Sequence, residues 1–286
     1  MRIANVHGRV VLVNAAGRAL DIEQASGGLF GADPQALYPR WAEFRRWARE
    51  TGHETAVLAP QPFEPEHLGS PAPLPRQVFC VGLNYRDHAA ESGFAVPDTL
   101  PPVFTKYVSS ITGPVSTVSL PEGGHTDWEV ELVVVVGKTA RHIEPAHAWD
   151  HVAGLTAGQD LSERITQLQG PAPQFGLGKS FPGFSAMGPY LVTPDEFTDP
   201  DSLELGCSVN GVQVQKGRTG DLIFSVPVLL ARLSAILTLL PGDVVFTGTP
   251  SGVGMGRSPQ QFLATGDVLV SYVEGIGELR QTFTAA

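Results

Sequence analysis

The chain has 286 residues, a formal net charge of −10 and only two cysteines, and 42% of its residues are hydrophobic. This length fits one large domain, or one plus a small annex, with a core that needs no disulfide scaffold. The acidic excess gives no basic surface for nucleic acid or for an anionic membrane. No apolar run is long enough to span a bilayer, and the first residues lack the apolar core of a secretory signal. We therefore predict a cytoplasmic protein that has neither nucleic acid nor a membrane as partner, and whose cysteines, Cys80 and Cys207, are buried and reduced.

Residues 1–72 are predicted to form a small N-terminal annex of α+β type. Its expected elements are two short strands joined by a turn, residues 9–14 and 19–22, and a helix that begins after Asp33-Pro34. Trp41, Phe44 and Ala48 recur at helical spacing within that helix. Six prolines in residues 59–76 indicate an extended connector to the second unit.

The second unit, residues 73–286, is a series of short apolar runs bounded by Gly and Pro. Several of the runs carry Gly-Asp or Asn-Gly turn signals, which are typical of strand boundaries. Two stretches, residues 162–169 and 226–239, are predicted to be helical. Many strands with few helices favour a mainly β architecture of packed or rolled sheets with some α structure.

The most informative stretch is residues 126–137, TDWEVELVVVVG, because a run of Leu and Val follows two closely spaced glutamates. The run predicts a buried strand, in which alternate side chains share a face. Glu129 and Glu131 would then project from one face with Cα atoms about 6.5–7 Å apart. Two like charges against a buried face are costly unless a cation compensates them, and all-oxygen ligation favours Mg²⁺, Mn²⁺ or Ca²⁺ over zinc. The alternative is an edge strand whose acidic end points into water.

A third carboxylate, Asp160, follows a glycine-punctuated apolar run and precedes the stretch LSERITQLQ. We expect Asp160 to open a helix there. Arg164 and Gln167 are four and seven residues further on, so the three side chains would share one helical face and line one pocket. The same spacing is also typical of a capping aspartate with a surface ion pair.

Eight stretches follow one another in a characteristic order between residues 81 and 279. They are VGLNYRDHAAESG (81–93), PPVFTKYVSSITGP (101–114), DWEVELVVVVGK (127–138), QDLSERITQ (159–167), FGLGKSFPGFSAMGP (175–189), VNGVQVQKGRTGDLIF (209–224), LLPGDVVFTGTPSGVG (239–254) and LATGDVLVSYVEGIGEL (263–279). In this order they resemble the fumarylacetoacetate hydrolase (FAH) family.

The resemblance implies a mixed β-sandwich or roll that forms a homodimer. It also implies a metal ion, Mg²⁺ or Mn²⁺, held by Glu129, Glu131 and Asp160. His88 and Glu91 match an H-x-x-E pair on a short lid helix of the family. Four further positions match residues that line the family's substrate pocket: Arg164, Gln167, Lys179 and Thr249. Three positions depart from the commonest family pattern, which leaves the substrate open: Gln159, Glu163 and Pro182.

His88 and Glu91 are three residues apart in a helix-compatible stretch, so they share a face. A carboxylate beside an imidazole fixes its tautomer and raises its basicity, which suits a base that takes a proton from water. Together with Lys179, which would steady an enolate oxygen, they complete the catalytic set. The predicted reaction is metal-dependent hydrolysis of the C3–C4 bond of a 2,4-dioxo acid, an acylpyruvate or dioxo-sugar acid, to a 2-oxo acid such as pyruvate and a carboxylic acid.

Two other functions are consistent with the same residues. A decarboxylase of oxaloacetate-type acids, or an isomerase of a related 2-oxo acid, would pass through the same enolate without attack by water. A non-catalytic ligand-binding relative is the third alternative, which the intact set of acidic and basic residues disfavours. The far end of the substrate would meet segments that the motifs do not cover: residues 94–100, 168–174, 181–186 and 255–261.

Overall fold

A computed structural model of the chain describes residues 1–51, 61–91 and 101–286. The segment 94–100, predicted to meet the far end of the substrate, lies outside these ranges. Within them, no helix combines the length and the apolar character needed to cross a membrane.

The apolar runs of the sequence form strands wherever Gly and Pro bound them. The strands of the described residues are β1 (Arg2–Val6), β2 (Arg9–Val13), β3 (Ala19–Asp21), β4 (Leu68–Gly69), β5 (Val78–Val81), β6 (Val103–Thr105), β7 (Ile111–Thr112), β8 (Val115–Leu120), β9 (Thr126–Asp127), β10 (Val130–Val136), β11 (Val152–Asp160), β12 (Ser162–Glu163), β13 (Ser185–Val192), β14 (Glu204–Val209), β15 (Val212–Arg218), β16 (Val244–Phe246), β17 (Val268–Val273) and β18 (Gly277–Ala285).

Within residues 1–51, 61–91 and 101–286, helices are fewer and mostly short. They are α1 (Ile22–Ala25), α2 (Pro34–Leu37), α3 (Trp41–Thr51), α4 (Arg86–Glu91), α5 (Arg164–Gln167), α6 (Phe175–Gly178) and α7 (Val226–Ile236).

Most strands belong to two sheets that pack against each other. The larger sheet has eleven strands, nine of them in the order β3-β2-β1-β13-β11-β10-β16-β5-β6, with β4 on β1 and β7 on β13. The smaller sheet has the order β15-β14-β17-β18-β8. The sheets contact each other through β10, β11 and β13 on one side and β14, β17 and β18 on the other. This arrangement confirms the predicted mainly β fold.

Strand β10 lies at the centre of the larger sheet, between β11 and β16, and each of its residues is buried. Its even-numbered residues belong to the hydrophobic core that the two sheets share. Val133 and Val135 belong to a second core that includes Trp41 and Phe44 of α3. The predicted alternation of faces is therefore confirmed, and the alternative of a water-facing edge strand is excluded.

The predicted annex extends the larger sheet, because β1 pairs with β13 as well as with β2. The two predicted strands correspond to β2 and β3, and the Asp33 side chain caps α2 by accepting from the Gln35 N–H. The single helix predicted to begin after Asp33-Pro34 is divided in the structure: α2 begins there, and a 3-10 turn separates it from α3, which begins at Trp41. The division of the chain at residue 72 stays a prediction. Both cysteines are free and buried, as expected.

Two predicted helices end or begin elsewhere. Asp160 is the last residue of β11 and pairs with Ser185 of β13, so the prediction that it shares a helical face with Arg164 and Gln167 is wrong. Pairing across the sheet outweighs the local helical pattern, and α5 begins only at Arg164. The helix α7 ends at Ile236 because Leu237 is extended.

Candidate metal centre and active site

Three carboxylates converge at the end of the central strands of the larger sheet. Glu131 is on β10, Glu129 directly precedes that strand, and Asp160 ends β11. One ligand atom from each lies within 4.8 Å of the other two, and all three side chains are buried. The Asp160 N–H donates to the Glu129 carbonyl over 2.9 Å, so the backbone itself fixes how closely the two segments approach. Strand pairing rather than a helical face therefore brings Asp160 to the glutamates.

Two buried lysines compensate part of this negative charge. Lys179 Nζ donates to Glu129 Oε2 over 2.7 Å and to Asp160 Oδ2 over 2.8 Å. Lys106 Nζ donates to the other Asp160 oxygen and to the Phe184 carbonyl. Both lysines are about 2% exposed, which is possible only because each is paired with a carboxylate.

Arg164 forms the third cation of the cluster. Its Nε and Nη2 donate to Asp127 Oδ2 over 2.9 and 2.7 Å, and its Nη1 is 2.8 Å from Glu129 Oε1. The same Nη1 donates to Gln167 Oε1 over 2.9 Å. The guanidinium is thereby held between two carboxylates and an amide, and the two predicted substrate residues Arg164 and Gln167 lie together.

The two glutamates differ in their electrostatic environment. Burial opposes ionisation of Glu129, but the positive charges of Lys179 and Arg164 outweigh it and lower its pKa to about 2. Among the described residues, Glu131 has no cation as a hydrogen-bond partner, and burial, followed by repulsion from Asp160 and Glu129, raises its pKa well above the usual range. Its Oε2 accepts from the Gly248 N–H over 2.7 Å. Glu131 is therefore the carboxylate that most lacks a positive partner.

The donor set fits a divalent cation that prefers oxygen. Counting the described residues, four buried carboxylates (Asp127 and the cluster of three) face three cations, so one negative charge is uncompensated when all of them are ionised. In the part of the chain that the structure describes, neither His nor Cys belongs to the cluster, which favours Mg²⁺ or Mn²⁺ over zinc. An ion at this position would also supply the positive charge that Glu131 lacks.

The predicted dyad forms on α4. His88 Nδ1 is 2.9 Å from Glu91 Oε1, and the His88 side chain is 9% exposed. Both Glu91 oxygens also accept from the Gly252 N–H, over 3.1 and 3.0 Å. Glu91 is therefore held both by His88 and by the glycine loop at residues 251–256. Residues 92–100, which follow the predicted lid helix, lie outside the described ranges.

A cavity of about 210 Å³ lies between the carboxylate cluster and His88. Seven of the nine predicted site residues line it: His88, Glu129, Glu131, Arg164, Gln167, Lys179 and Thr249. Asp160 and Glu91 lie behind them, in contact with Lys179 and His88. A larger surface cleft of about 770 Å³ beside α3 contains none of the predicted residues.

Thr249 lines the cavity, but its hydroxyl has other partners. It donates to the Val130 carbonyl over 2.9 Å and accepts from Gln215 Nε2 over 2.8 Å. Gln215 Oε1 in turn accepts from the Val130 N–H. The hydroxyl thus fixes the start of β10, and the neighbouring Gly248 N–H is engaged by Glu131.

Sequence reasoning gave no role to several buried residues that hold the site together. Asp127 accepts from Arg164 and from the N–H groups of Gly254 and Met255. Gln159 Oε1 accepts from the Glu129 N–H over 2.7 Å, which explains how this departure from the family pattern still supports the cluster. Lys106 was visible as one of only four lysines in the chain, within a family stretch, but nothing local indicates its contact with Asp160.

Known proteins of one family are similar to this chain. Residues 77–284 match the family described as fumarylacetoacetate (FAA) hydrolase C-terminal. Human mitochondrial oxaloacetate tautomerase FAHD2A is 44% identical over 209 residues, which are 73% of this chain and 66%, about two thirds, of that protein. A solved structure from Mycobacterium smegmatis, provisionally assigned as HpcE, has 55% identity and a TM-score of 0.93, with 100% of both chains covered. Maleylpyruvate hydrolase from Sphingobium sp. SYK-6, solved with manganese(II) and pyruvate, has 26% identity, a TM-score of 0.82 and the same coverage. Since the human relative is mitochondrial by name, the cytoplasmic location of this chain stays a prediction. Its homodimeric state also stays a prediction.

Proposed function

Since the chain belongs to the fumarylacetoacetate hydrolase family, whose members are hydrolases or isomerases, we propose that it is a divalent-metal-dependent hydrolase of 2,4-dioxo acids. Water would cleave the C3–C4 bond of an acylpyruvate or a related acid, to give a 2-oxo acid such as pyruvate and a carboxylic acid. One observation carries the proposal. A buried cluster of three carboxylates borders the same cavity as a histidine that is paired with a glutamate.

Glu129, Glu131 and Asp160 would hold the ion. When bound, Mg²⁺ or Mn²⁺ supplies positive charge that attracts and polarises a 2-oxo acid. The maleylpyruvate hydrolase structure, with its manganese and pyruvate, supports this choice of metal and of substrate class.

The cations beside the cluster would orient the substrate and stabilise its developing charge. Lys179 is buried, and although burial opposes its charge, Asp160 and Glu129 raise its pKa, so it stays protonated. A fixed ammonium at the cavity wall favours an enolate oxygen over a neutral ketone. Arg164 and Gln167 are already fixed by Asp127 and by each other, so they can bind a carboxylate without first becoming ordered.

His88 would act as the general base. Its Nδ1 is occupied by Glu91, which leaves Nε2 to take a proton from water as the water oxygen bonds to C4. The electron pair of the C3–C4 bond then passes to C3 to form an enolate, and the proton on His88 is available to neutralise it. Glu91 would stabilise the imidazolium throughout, because the Gly252 N–H holds its carboxylate in place.

A second candidate is a keto–enol tautomerase of oxaloacetate. The observation that favours it is the 44% identity with human oxaloacetate tautomerase FAHD2A. In this reaction His88 would move a proton between C3 and the 2-oxo oxygen, and no water would be consumed. The two functions share the metal site and the base, and they differ in whether a carboxylic acid is released.

The two candidates are separated by product analysis with Mn²⁺ present. An acylpyruvate is expected to yield equal amounts of pyruvate and carboxylic acid, measured by proton NMR. His88→Ala should lower kcat by roughly 10²–10⁴-fold, the usual contribution of general base catalysis, while calorimetry shows unchanged Mn²⁺ binding. His147→Ala is the matched control, because that imidazole is 72% exposed and is not part of the cavity.

If the protein enolises oxaloacetate but releases no carboxylic acid from any 2,4-dioxo acid, the tautomerase is the correct function and the hydrolase is wrong. Activity that is indifferent to added Mg²⁺ and Mn²⁺ after chelation would contradict both candidates.

A further inference from the structure

The surface cleft of about 770 Å³ beside α3 shares no lining residue with the proposed active site, and its lining is positively charged. Among the described residues, four cations line it and only two carboxylates, Glu50 and Asp150. The cations are Arg45, Arg46 and Arg49 of α3 and Lys138, two residues after β10. Asp195 lies 2.9 Å from Arg45 and 3.8 Å from Arg49, and the cations still outnumber the carboxylates when it is included. In a chain of net charge −10, such an excess of positive charge favours an anion at this cleft.

The wall of the cleft contains a buried hydrogen-bond donor that lacks an acceptor. Trp41 lines the cleft and is 5% exposed, and its Nε1–H has no hydrogen-bond partner among the described residues. Trp128 and Trp149 instead have acceptors, 3.1 and 3.3 Å from Nε1, as is usual for indoles. A Cβ at Gly137, which also lines the cleft, would be 2.7 Å from Trp41 Cδ1, the atom bonded to Nε1. The nitrogen-bearing edge of the ring therefore lies at the cleft, where a ligand oxygen would satisfy this donor.

Arg45 provides a second donor without a partner. Its Nη2 donates to Asp195, whereas its Nε is buried and unpaired within the part of the chain that the structure describes. Arg45 is four residues after Trp41 on α3, so the two side chains lie on the same face of the helix. A tetrahedral phosphate presents oxygens in several directions and can accept from an indole, a guanidinium and an ammonium together, whereas a planar carboxylate suits a single guanidinium fork best.

From these donors we propose that the cleft binds a small phosphorylated molecule, whose phosphate is held by Trp41, Arg45 and the neighbouring cations. Apolar residues of the lining would contact the organic part of the ligand: Pro39, Ala42, Val152 and Pro241. The volume of about 770 Å³ is within the roughly 300–1,000 Å³ of small-molecule sites and is larger than free phosphate needs. This second site is independent of the proposed hydrolase reaction.

The indole N–H signal of Trp41 tests the contact in the ¹⁵N-labelled full-length protein with Mg²⁺ present. The signal is assigned by its loss in Trp41→Phe, and inorganic phosphate at pH 8 should shift it in a saturable manner. Malonate carries the same charge on planar carboxylates, so it should need a concentration about tenfold higher or more. Phenyl phosphate should need at least about threefold less than inorganic phosphate, because its ring is partly buried. A Trp41 signal that is unaffected by about 10 mM phosphate, or equal affinities for phosphate and malonate, would overturn the proposal. Equal affinities for phenyl phosphate and phosphate would overturn the assignment of the apolar lining to an organic group.

A charge substitution in the cleft tests the location. Arg45→Gln should weaken phosphate binding by about tenfold or more, measured from the Trp41 signal, because it removes charge-assisted hydrogen bonds. Arg218→Gln is the matched control, because Arg218 is also paired with a carboxylate, 3.4 Å from Glu274, is 46% exposed and does not line the cleft. Thermal unfolding checks that both variants are folded. Wild-type affinity in Arg45→Gln, or the same loss in Arg218→Gln, would overturn the assignment of phosphate to this cleft.

Discussion

Replacing Lys106 tests whether the site is built from mutually dependent buried charges. The Lys106 ammonium is fully buried, bonds Asp160 and the Phe184 carbonyl, and lies 5.9 Å from the Phe246 ring centroid. Lys106→Met keeps an unbranched chain of similar length and removes only the charge and the donor. The described buried cluster then has four carboxylates and only two cations, so it loses one compensating positive charge.

The expected loss of stability follows from the burial of both partners. Both side chains of the Lys106–Asp160 pair are 0% exposed, and breaking a buried ion pair from one side costs about 3–5 kcal/mol. At roughly 2–4 °C per kcal/mol for a protein of this size, the Tm of the metal-free protein should fall by about 6–20 °C. Saturating Mn²⁺ should raise the Tm of the variant by more than it raises the Tm of the wild type, because the ion compensates Asp160.

The assay is thermal unfolding followed by circular dichroism, with chelator or with Mn²⁺. Lys216→Met is the control, because it makes the same substitution in an ion pair with Glu204 whose side chains are 56% and 34% exposed. Such a pair contributes about 0–1 kcal/mol, so the control should change the Tm by less than about 4 °C. If both variants lose the same stability, or if Mn²⁺ stabilises Lys106→Met no more than the wild type, the buried charges are not interdependent.

Three further predictions concern single positions of the site. Glu131→Gln should abolish stimulation by Mn²⁺ but leave the Tm of the metal-free protein unchanged or higher at neutral pH, because burial and then repulsion from its neighbours already raise the pKa of Glu131. Calorimetry measures Mn²⁺ binding and thermal unfolding measures stability, and a loss of both together would contradict this reasoning. Asp127→Asn should raise KM about 10- to 100-fold, because Arg164 loses charge-assisted hydrogen bonds. Asp267→Asn, in a surface turn, is the control, and equal KM values for the two variants in steady-state kinetics would contradict this. Gly256→Ala would place a Cβ 3.1 Å from the Glu91 carboxylate, and it should lower kcat several-fold with unchanged Mn²⁺ affinity. An unaltered kcat would contradict this, because it would show that Glu91 can move without loss of activity.

Two of the proposed metal ligands, Glu129 and Glu131, could be found from the sequence because their signal is local. Alternation along one buried strand places Glu129 and Glu131 on one face, and the structure has that strand at the centre of a sheet. His88 and Glu91 are likewise neighbours on one short helix. Where the chemistry depends on residues within a few positions of each other, spacing was sufficient.

The supporting contacts could not be found in this way because they join distant parts of the chain. Lys106 is 54 residues from Asp160, and Asp127 is 127 residues from Gly254. No local pattern distinguishes such residues from a surface lysine or a turn aspartate. The local spacing predicts a helix at Asp160, and it fails there because the pairing of Asp160 with β13 depends on a strand that begins 25 residues later.

The N-terminal strand β1 also bears on how the protein avoids aggregation. Because β1 occupies the hydrogen-bonding side of β13 at Leu191 and Val192, a chain shortened to the family-matching region would expose those main-chain groups beside two fully buried apolar side chains. Uncovered apolar strand borders of this kind recruit strands from other molecules. Deletion of residues 1–72 is therefore expected to produce aggregates, even though every proposed metal ligand would be retained, and relatives without such a segment need another way to shield the same border.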